Sequence, residues 1–281
     1  MSASTTTRPA AATGTLSSAA RDGLIIMWRN LKRIPRIPEL AIFAILQSIM
    51  FVVLFAFVFG GAIPLPGYPP DPKYYREYLM PGIFAQTIVF AAGTTAIGMA
   101  DDIGKGIIDR FRSLPMARSA VLSGRSLSDV VYNGGILIVL MVSGLFVGWT
   151  VHTGLGNLIA GIALLLLFAF AMSWVGIYLG LSVPTVEVAQ QAIFTVLFPI
   201  TFISNVFVPT QTLPSWLQFI AEWNPTSTLT GSLRQLWGNP NPFATDSFPS
   251  QNPALVTIVW VVVLIAIFGP LGVRRYRSMS R

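Results

Sequence analysis

The chain has no cysteine and only one histidine, His152. Without thiols it has no disulfide and no thiolate metal site, and its redox compartment leaves no mark on the sequence. No His/Asp/Glu cluster shows metal-ligand spacing, so His152 reads as a structural residue of a short loop. Charge is scarce as well. Charged residues make up 10% of the chain and hydrophobic ones 53%, and mean hydropathy is +0.68. A soluble domain carries about 25% charged residues. The default class is therefore an integral membrane protein. A phosphate loop is also missing. The nearest approach, Gly98 with Gly104-Lys105-Gly106, has five residues between its glycines instead of four and Gly106 in place of Ser or Thr. The chain cannot hydrolyse ATP alone. Ionisable residues are nearly absent from the apolar runs, which leaves no proton relay of the sort ion-coupled carriers use.

What is present is a series of apolar runs, each about 20 residues, the length of a membrane-crossing helix. Barrel strands would be shorter and alternating. The runs predict an all-α membrane protein with six transmembrane helices, at about 39–63, 78–100, 127–149, 157–183, 186–208 and 254–273. Pro184 and Glu187 make the break between the fourth and fifth a tight turn. Residues 1–19, Ser, Thr and Ala with Arg8, are expected to be a disordered tail, and 20–281 a single transmembrane domain.

Basic residues fall unevenly about these runs. Three segments hold Arg8, Arg21, Arg29, Lys32, Arg33 and Arg36, then Lys105, Arg110, Arg112, Arg118 and Arg125, then Arg274, Arg275, Arg277 and Arg281. The alternate loops hold Lys73, Arg76 and Arg234. The positive-inside bias predicts a multi-pass protein of the inner (plasma) membrane with both termini cytoplasmic. It also accounts for the net charge of +7 without a nucleic-acid surface, because the charges hug the membrane edges.

Three segments are amphipathic rather than uniformly apolar. In 20–36, Leu24, Ile25, Trp28, Leu31 and Ile34 recur at helical spacing among arginines, the pattern of a helix lying in the inner interface. Between spans two and three, Ile103, Ile107, Phe111 and Leu114 form one helical stripe, with Lys105, Asp109 and Arg112 off it. Lys105 and Asp109 are spaced for an i, i+4 pair, Pro115 ends the helix, and Gly104 and Gly106 allow a sharp exit from span two. On the other side, Trp216, Phe219, Ile220 and Trp223, then Leu229, Leu233, Leu236 and Trp237, predict two short helices hinged at Asn224-Pro225. Their tryptophans suit an outer headgroup belt.

Within the spans the polar residues are neutral: Gln47, Gln86, Asn133, Gln190, Gln191, Thr195, Thr201, Ser204 and Asn205. They either bond across helices or line a path. Asp129 stands one turn after Arg125, spaced for an ion pair, and Glu187 is placed to cap span five. Pro199 interrupts span five and permits a bend.

With these pieces in place, the chain resembles the permeases of type-2 ABC exporters, and within them the daunorubicin-resistance-type membrane subunits of actinobacteria. Two stretches carry the resemblance. The first is "DDIGKGIIDRFRSLPMARSAVLSGR", where Asp102, Gly106, Arg110, Leu114, Pro115 and Arg118 match the family's order of acid, glycine, base, Leu-Pro and Arg. The second is "VFVPTQTLPSWLQFIAEWNPTSTLTGSLRQLWG", with Pro209, Leu213-Pro214, Trp216, Asn224-Pro225 and Leu233-Arg234. Thr226 and Ser227 depart from the aromatic or apolar pair that often follows Asn-Pro in the family.

The resemblance implies a transport subunit that is not itself an enzyme. A separate cytoplasmic ABC ATPase would use ATP and Mg, and this chain would bind no cofactor and no metal. A second permease, identical or similar, would complete the path within membrane lipid. Ile103, Gly106, Ile107, Arg110, Phe111, Arg112, Leu114, Pro115 and Arg118 would form the coupling helix against the ATPase. The same stripe also suits a helix lying on the inner leaflet. Gln47, Gln86, Gln190, Thr195, Pro199, Ser204 and Asn205 are the candidates for the path or gate. Pro214, Trp216, Trp223, Asn224, Pro225 and Arg234 belong to an outer re-entrant helix pair. The uncharged path favours an amphipathic drug, polyketide or lipid. Export of a cell-envelope polysaccharide by the same fold stays open, as does an ATPase-independent carrier. A membrane enzyme would have to rely on His152, Asp129 or Glu187.

Overall fold

The computed structural model describes residues 16–32, 38–58, 65–108, 118–207 and 210–279. Among the described residues all regular structure is helical. In chain order the helices are α1 (Leu16–Leu31), α2 (Pro38–Val53), α3 (Pro72–Gly104), α4 (Arg118–Val147), α5 (Leu155–Ser182), α6 (Val186–Phe202), α7 (Ser215–Trp223), α8 (Pro225–Trp237), α9 (Phe248–Gln251) and α10 (Pro253–Ser278). A π-turn over Leu54–Val58 extends α2, and a 3-10 turn, Thr210–Thr212, precedes α7.

Four helices are long and apolar enough to cross a membrane: α3, α4, α5 and α10. They match the second, third, fourth and sixth expected spans, with displaced edges. The first and fifth runs become shorter apolar helices. At 17 residues, α6 is about 26 Å long, against about 30 Å of hydrocarbon. It ends soon after Pro199, in a turn closed by the Ile203 amide on the Pro199 carbonyl, 2.9 Å. Helix α1 begins at Leu16, within the segment expected as a tail, and residues 1–15 lie outside the described residues.

Local chemistry fixes the helix ends. Asp71 accepts a hydrogen bond from the Lys73 amide at 2.8 Å, with Pro72 in the first helical position of α3. Thr185, rather than Glu187, caps α6 by accepting from the Val188 amide. Glu187 lies in the first turn, where an acid suits the helix dipole.

The bundle is built on α3 and α5. Gly176 and Gly180 lie one turn apart on α5, and a Cβ on either would collide with the backbone of α3 at Ala92 and Ala96. Small residues thus bring the two backbones together, as in the small-xxx-small contacts of membrane helices. Around this pair, α10 packs on α5, α6 on α3, and α4 on α5. The amphipathic α1 lies along α4, and α2 also rests on α4. Helix α8 is wedged among α3, α5 and α10.

Two apolar clusters result. The larger runs through α3, α4, α5 and α8 and includes Phe84, Leu140, Phe168, Leu229, Leu233 and Trp237. The smaller gathers Ile26, Met99, Ile108, Leu122, Ile177 and Tyr276 at the end rich in basic residues. On α4, the buried residues between Leu122 and Ile136 are Gly124, Ser126, Ser128 and Asn133. Small and polar residues of α4 therefore stand between the two clusters. Ser126 bonds to Ser173 of α5 there.

Candidate functional site

The basic end is organised by Arg125. Its guanidinium reaches Asp102 of α3 at 3.0 Å and Asp129 of its own helix at 3.3 Å. The first contact is a hydrogen bond. The Nε contact is an ion pair that is not aligned as a hydrogen bond. The Thr95 hydroxyl of α3 donates to Asp129 at 2.8 Å. Arg125, Asp102 and Asp129 are only 15%, 14% and 16% exposed. The expected Arg125–Asp129 pair is present, but it belongs to a larger cluster joining α3 and α4. The sequence offers no local sign of Asp102's part, because the partners lie 23 residues apart.

Next to this cluster α3 ends. Lys105 closes the helix, and Gly106 takes φ +65°, a left-handed conformation that favours glycine. Ile103 is therefore in the last turn of α3, separated from Ile107 by a backbone turn, and not the first member of a continuous stripe. Lys105 pairs back to Asp101 at 2.7 Å; the expected partner, Asp109, lies outside the described residues. Asp109, Arg110, Phe111, Arg112, Leu114 and Pro115 lie outside the described residues, and Arg118 is described only as the start of α4.

Helix α1 shows the expected amphipathic division. Leu24, Ile25 and Trp28 are exposed, while Ile26 is buried. The Lys32 ammonium stands 5.3 Å from the centre of the Trp28 ring.

At the opposite end the buried arginine is Arg234 on α8, and it is fully buried. Its Nε donates to the Tyr78 carbonyl at 2.9 Å and an Nη to the Asn205 carbonyl at 3.2 Å. The guanidinium stacks 3.7 Å from the centre of the Tyr78 ring. Trp149, Trp237 and Phe84 meet edge-to-face beside it, with centroids 5.1–5.8 Å apart. Asn224 makes the expected hinge: its side chain accepts from the Thr226 amide at 2.8 Å and donates to the Ile200 carbonyl at 2.6 Å. Thr226 and Ser227 fit there because both are buried and Ser227 accepts from the Asn205 amide at 3.0 Å. The two helices of the pair differ. Helix α7 leaves Trp216, Phe219, Ile220 and Trp223 exposed, with Pro214 at its N-cap. Helix α8 is buried from Thr226 to Arg234.

His152 is not isolated. Its Nε2 lies 2.9 Å from Glu77, which is 2% exposed and also accepts from Thr150 at 2.9 Å. Sequence reasoning missed Glu77, since its partner is 75 residues away.

The residues expected to line a path or gate differ in burial. Gln47, Gln190, Thr195 and Pro199 are exposed on α2 and α6, whereas Gln86 and Ser204 are buried. Helix α6 rests on the bundle through Ala189, Ile193, Leu197 and Thr201. Its remaining faces, and the Ile42, Phe43, Leu46 and Met50 face of α2, are uncovered. Five phenylalanines join these helices in a ladder: Phe51, Phe55, Phe207, Phe202 and Phe198, with successive centroids 4.2–5.8 Å apart.

The sequence model of the ABC-2 type transporter family matches residues 22–236. The chain belongs to that family. This ABC-2 chain is 30% identical to the daunorubicin resistance ABC transporter permease of Streptomyces coeruleorubidus, over 97% of its own length and 90% of the relative's. Putative transport permeases of Cyanophora paradoxa and Porphyra purpurea are 23% and 22% identical. The first alignment covers 92% of this chain and 88% of the relative, the second 84% and 81%. The chain is thus a membrane-embedded permease subunit of an ABC exporter, and its role is transport.

Proposed function

We propose that this permease moves an amphipathic drug, polyketide or lipid out of the cytoplasm or inner leaflet, with a cytoplasmic ABC ATPase supplying the energy from ATP and Mg. The observation that carries this reading is the near full-length similarity to a daunorubicin-resistance permease. In this reading α2 and α6 are spans alongside the four longer helices, six in all, and both termini are cytoplasmic. The basic end then faces the ATPase, which seats on Ile103–Arg118. A second permease faces the uncovered sides of α2 and α6. Those sides expose large apolar residues together with Gln47, Gln190 and Thr195, a mixture suited to a protein contact or a passing amphipathic molecule. The phenylalanine ladder offers a flat aromatic cargo a stacking surface. Helices α7 and α8 would shield the exit.

The test is co-purification with an ABC ATPase, followed by ATP-dependent daunorubicin accumulation in inverted vesicles. Phe111→Ala should lower ATPase association and accumulation together, by roughly tenfold or more for an aromatic anchor, while insertion stays normal. A variant that retains its ATPase as well as the parent removes the docking assignment. Parent vesicles that accumulate no daunorubicin but export a lipid-linked sugar would move the cargo to the polysaccharide class.

A further inference from the structure

We propose that a crevice beside Glu222, at the Arg234 end of the permease, binds a primary ammonium group. The site is separate from the docking and cargo readings above. It lies where α7, α8, the turn after α6 and the loop before α9 meet. Glu222 is the only ionisable residue in its lining, which includes Asn205, Thr228, Asn241, Phe243 and Thr245. Two neutral donors reach Glu222, the Thr245 hydroxyl at 2.9 Å and the Gln218 amide at 3.0 Å. Both go to the same oxygen, Oε1. Among the described residues no basic side chain pairs with Glu222. Arg234 donates to the Asn205 carbonyl instead. Asn205 adds a second unmet group, since its Oδ1 is buried and receives no hydrogen bond.

A partly buried carboxylate without a cation repels an anion and attracts a positive ligand. The other lining groups suit a ligand that donates. The Thr245 hydroxyl gives its hydrogen to Glu222, and that of Thr228 goes to the Pro225 carbonyl at 3.1 Å, so both oxygens are left as acceptors. Phe243 brings an aromatic ring, whose face attracts cations. The crevice extends over about 360 Å³, yet its open space admits a group about the size of one water molecule. A primary ammonium has that size and carries three donors. A trimethylammonium is bulkier and carries none, and a guanidinium is too wide. Such an amine has two sources, a soluble molecule or the headgroup of an ethanolamine lipid. Helix α7, which carries Glu222, exposes Trp216, Phe219 and Trp223, a composition suited to the membrane surface.

The test needs no ATPase. The full permease is purified in an uncharged detergent and titrated with ethanolamine, choline, glycerol and potassium chloride, by calorimetry and by thermal unfolding. Ethanolamine should bind and raise the unfolding midpoint. Choline, glycerol and potassium should bind about tenfold more weakly or worse. Glu222→Gln keeps the shape and an acceptor for Thr245, and it should weaken ethanolamine binding about tenfold or more, the effect of losing a hydrogen bond to a charged group. Glu222→Asp keeps the charge and should keep the preference for ethanolamine over glycerol, which separates a lost site from a damaged fold. Equal binding of ethanolamine and glycerol overturns the proposal and leaves the crevice to water. Ethanolamine binding by Glu222→Gln as tight as by the parent overturns it too, and potassium binding as tight as ethanolamine would make the crevice a metal-cation site instead. Native mass spectrometry separates the two sources. Retention of phosphatidylethanolamine over phosphatidylcholine supports the headgroup, and equal retention beside ethanolamine binding supports a soluble amine.

Discussion

The two ends of the permease each bury an arginine, and they hold it in opposite ways. Arg125 sits between two carboxylates from two helices. Arg234 is more deeply buried, yet its contacts are two backbone carbonyls and the face of Tyr78. The difference lies in what each leaves behind when removed. Loss of Arg125 removes the cation that faces two acids, Asp102 and Asp129. Loss of Arg234 takes a donor from two carbonyls, which are neutral, and that of Asn205 still accepts from the Tyr78 hydroxyl at 3.1 Å. A charge cluster makes a contact that is either complete or broken. A guanidinium laid on carbonyls and a ring fastens α8 to α3 and to the turn after α6 through neutral groups.

Mutations can break this comparison or refine it. Arg125→Ala should be the most damaging, at about 3 kcal/mol or more of unfolding free energy, read by denaturation in detergent. Adding Asp102→Asn and Asp129→Asn should restore much of that loss. Arg234→Met should cost less, about 2 kcal/mol from two lost hydrogen bonds and a lost cation–π contact. If Arg234→Met proves the worse of the two, the distinction between a charge cluster and a carbonyl cradle fails. Lys105→Ala should be the mildest, below about 0.5 kcal/mol, because Lys105 and Asp101 form an i, i+4 pair with an exposed lysine. Raising salt should weaken the Lys105 pair and leave the Arg125 cluster nearly unchanged, a contrast that thermal melts at two ionic strengths would read.

Much of the architecture was legible because it depends on local chemistry. The long apolar runs, the amphipathic face of α1 and the Asn224-Pro225 hinge each follow from residues close together in the chain. So does Arg125–Asp129, whose partners share one helix. The errors have local causes as well. Gly106 adopts a left-handed turn that cuts the stripe between Ile103 and Ile107, and periodicity alone does not register a single backbone reversal. Hydropathy carries the fifth run through Pro199 to residue 208, whereas the helix stops at Phe202. What could not be read were pairings across the fold: Glu77 with His152, Asp102 with Arg125, and Arg234 with Tyr78, the last 156 residues apart. A single sequence records the residue types of such pairs but not which partner each will meet.

The contact of Gly176 and Gly180 with Ala92 and Ala96 has a mechanical consequence. At these two positions no α5 side chain parts the backbones, so α3 and α5 have no layer there that can shear and should move as one body. Helices α2 and α6 touch the bundle along narrower faces and carry their large residues outward. In the proposed export cycle they are the parts to swing, and the cargo path should change shape around that body rather than through it.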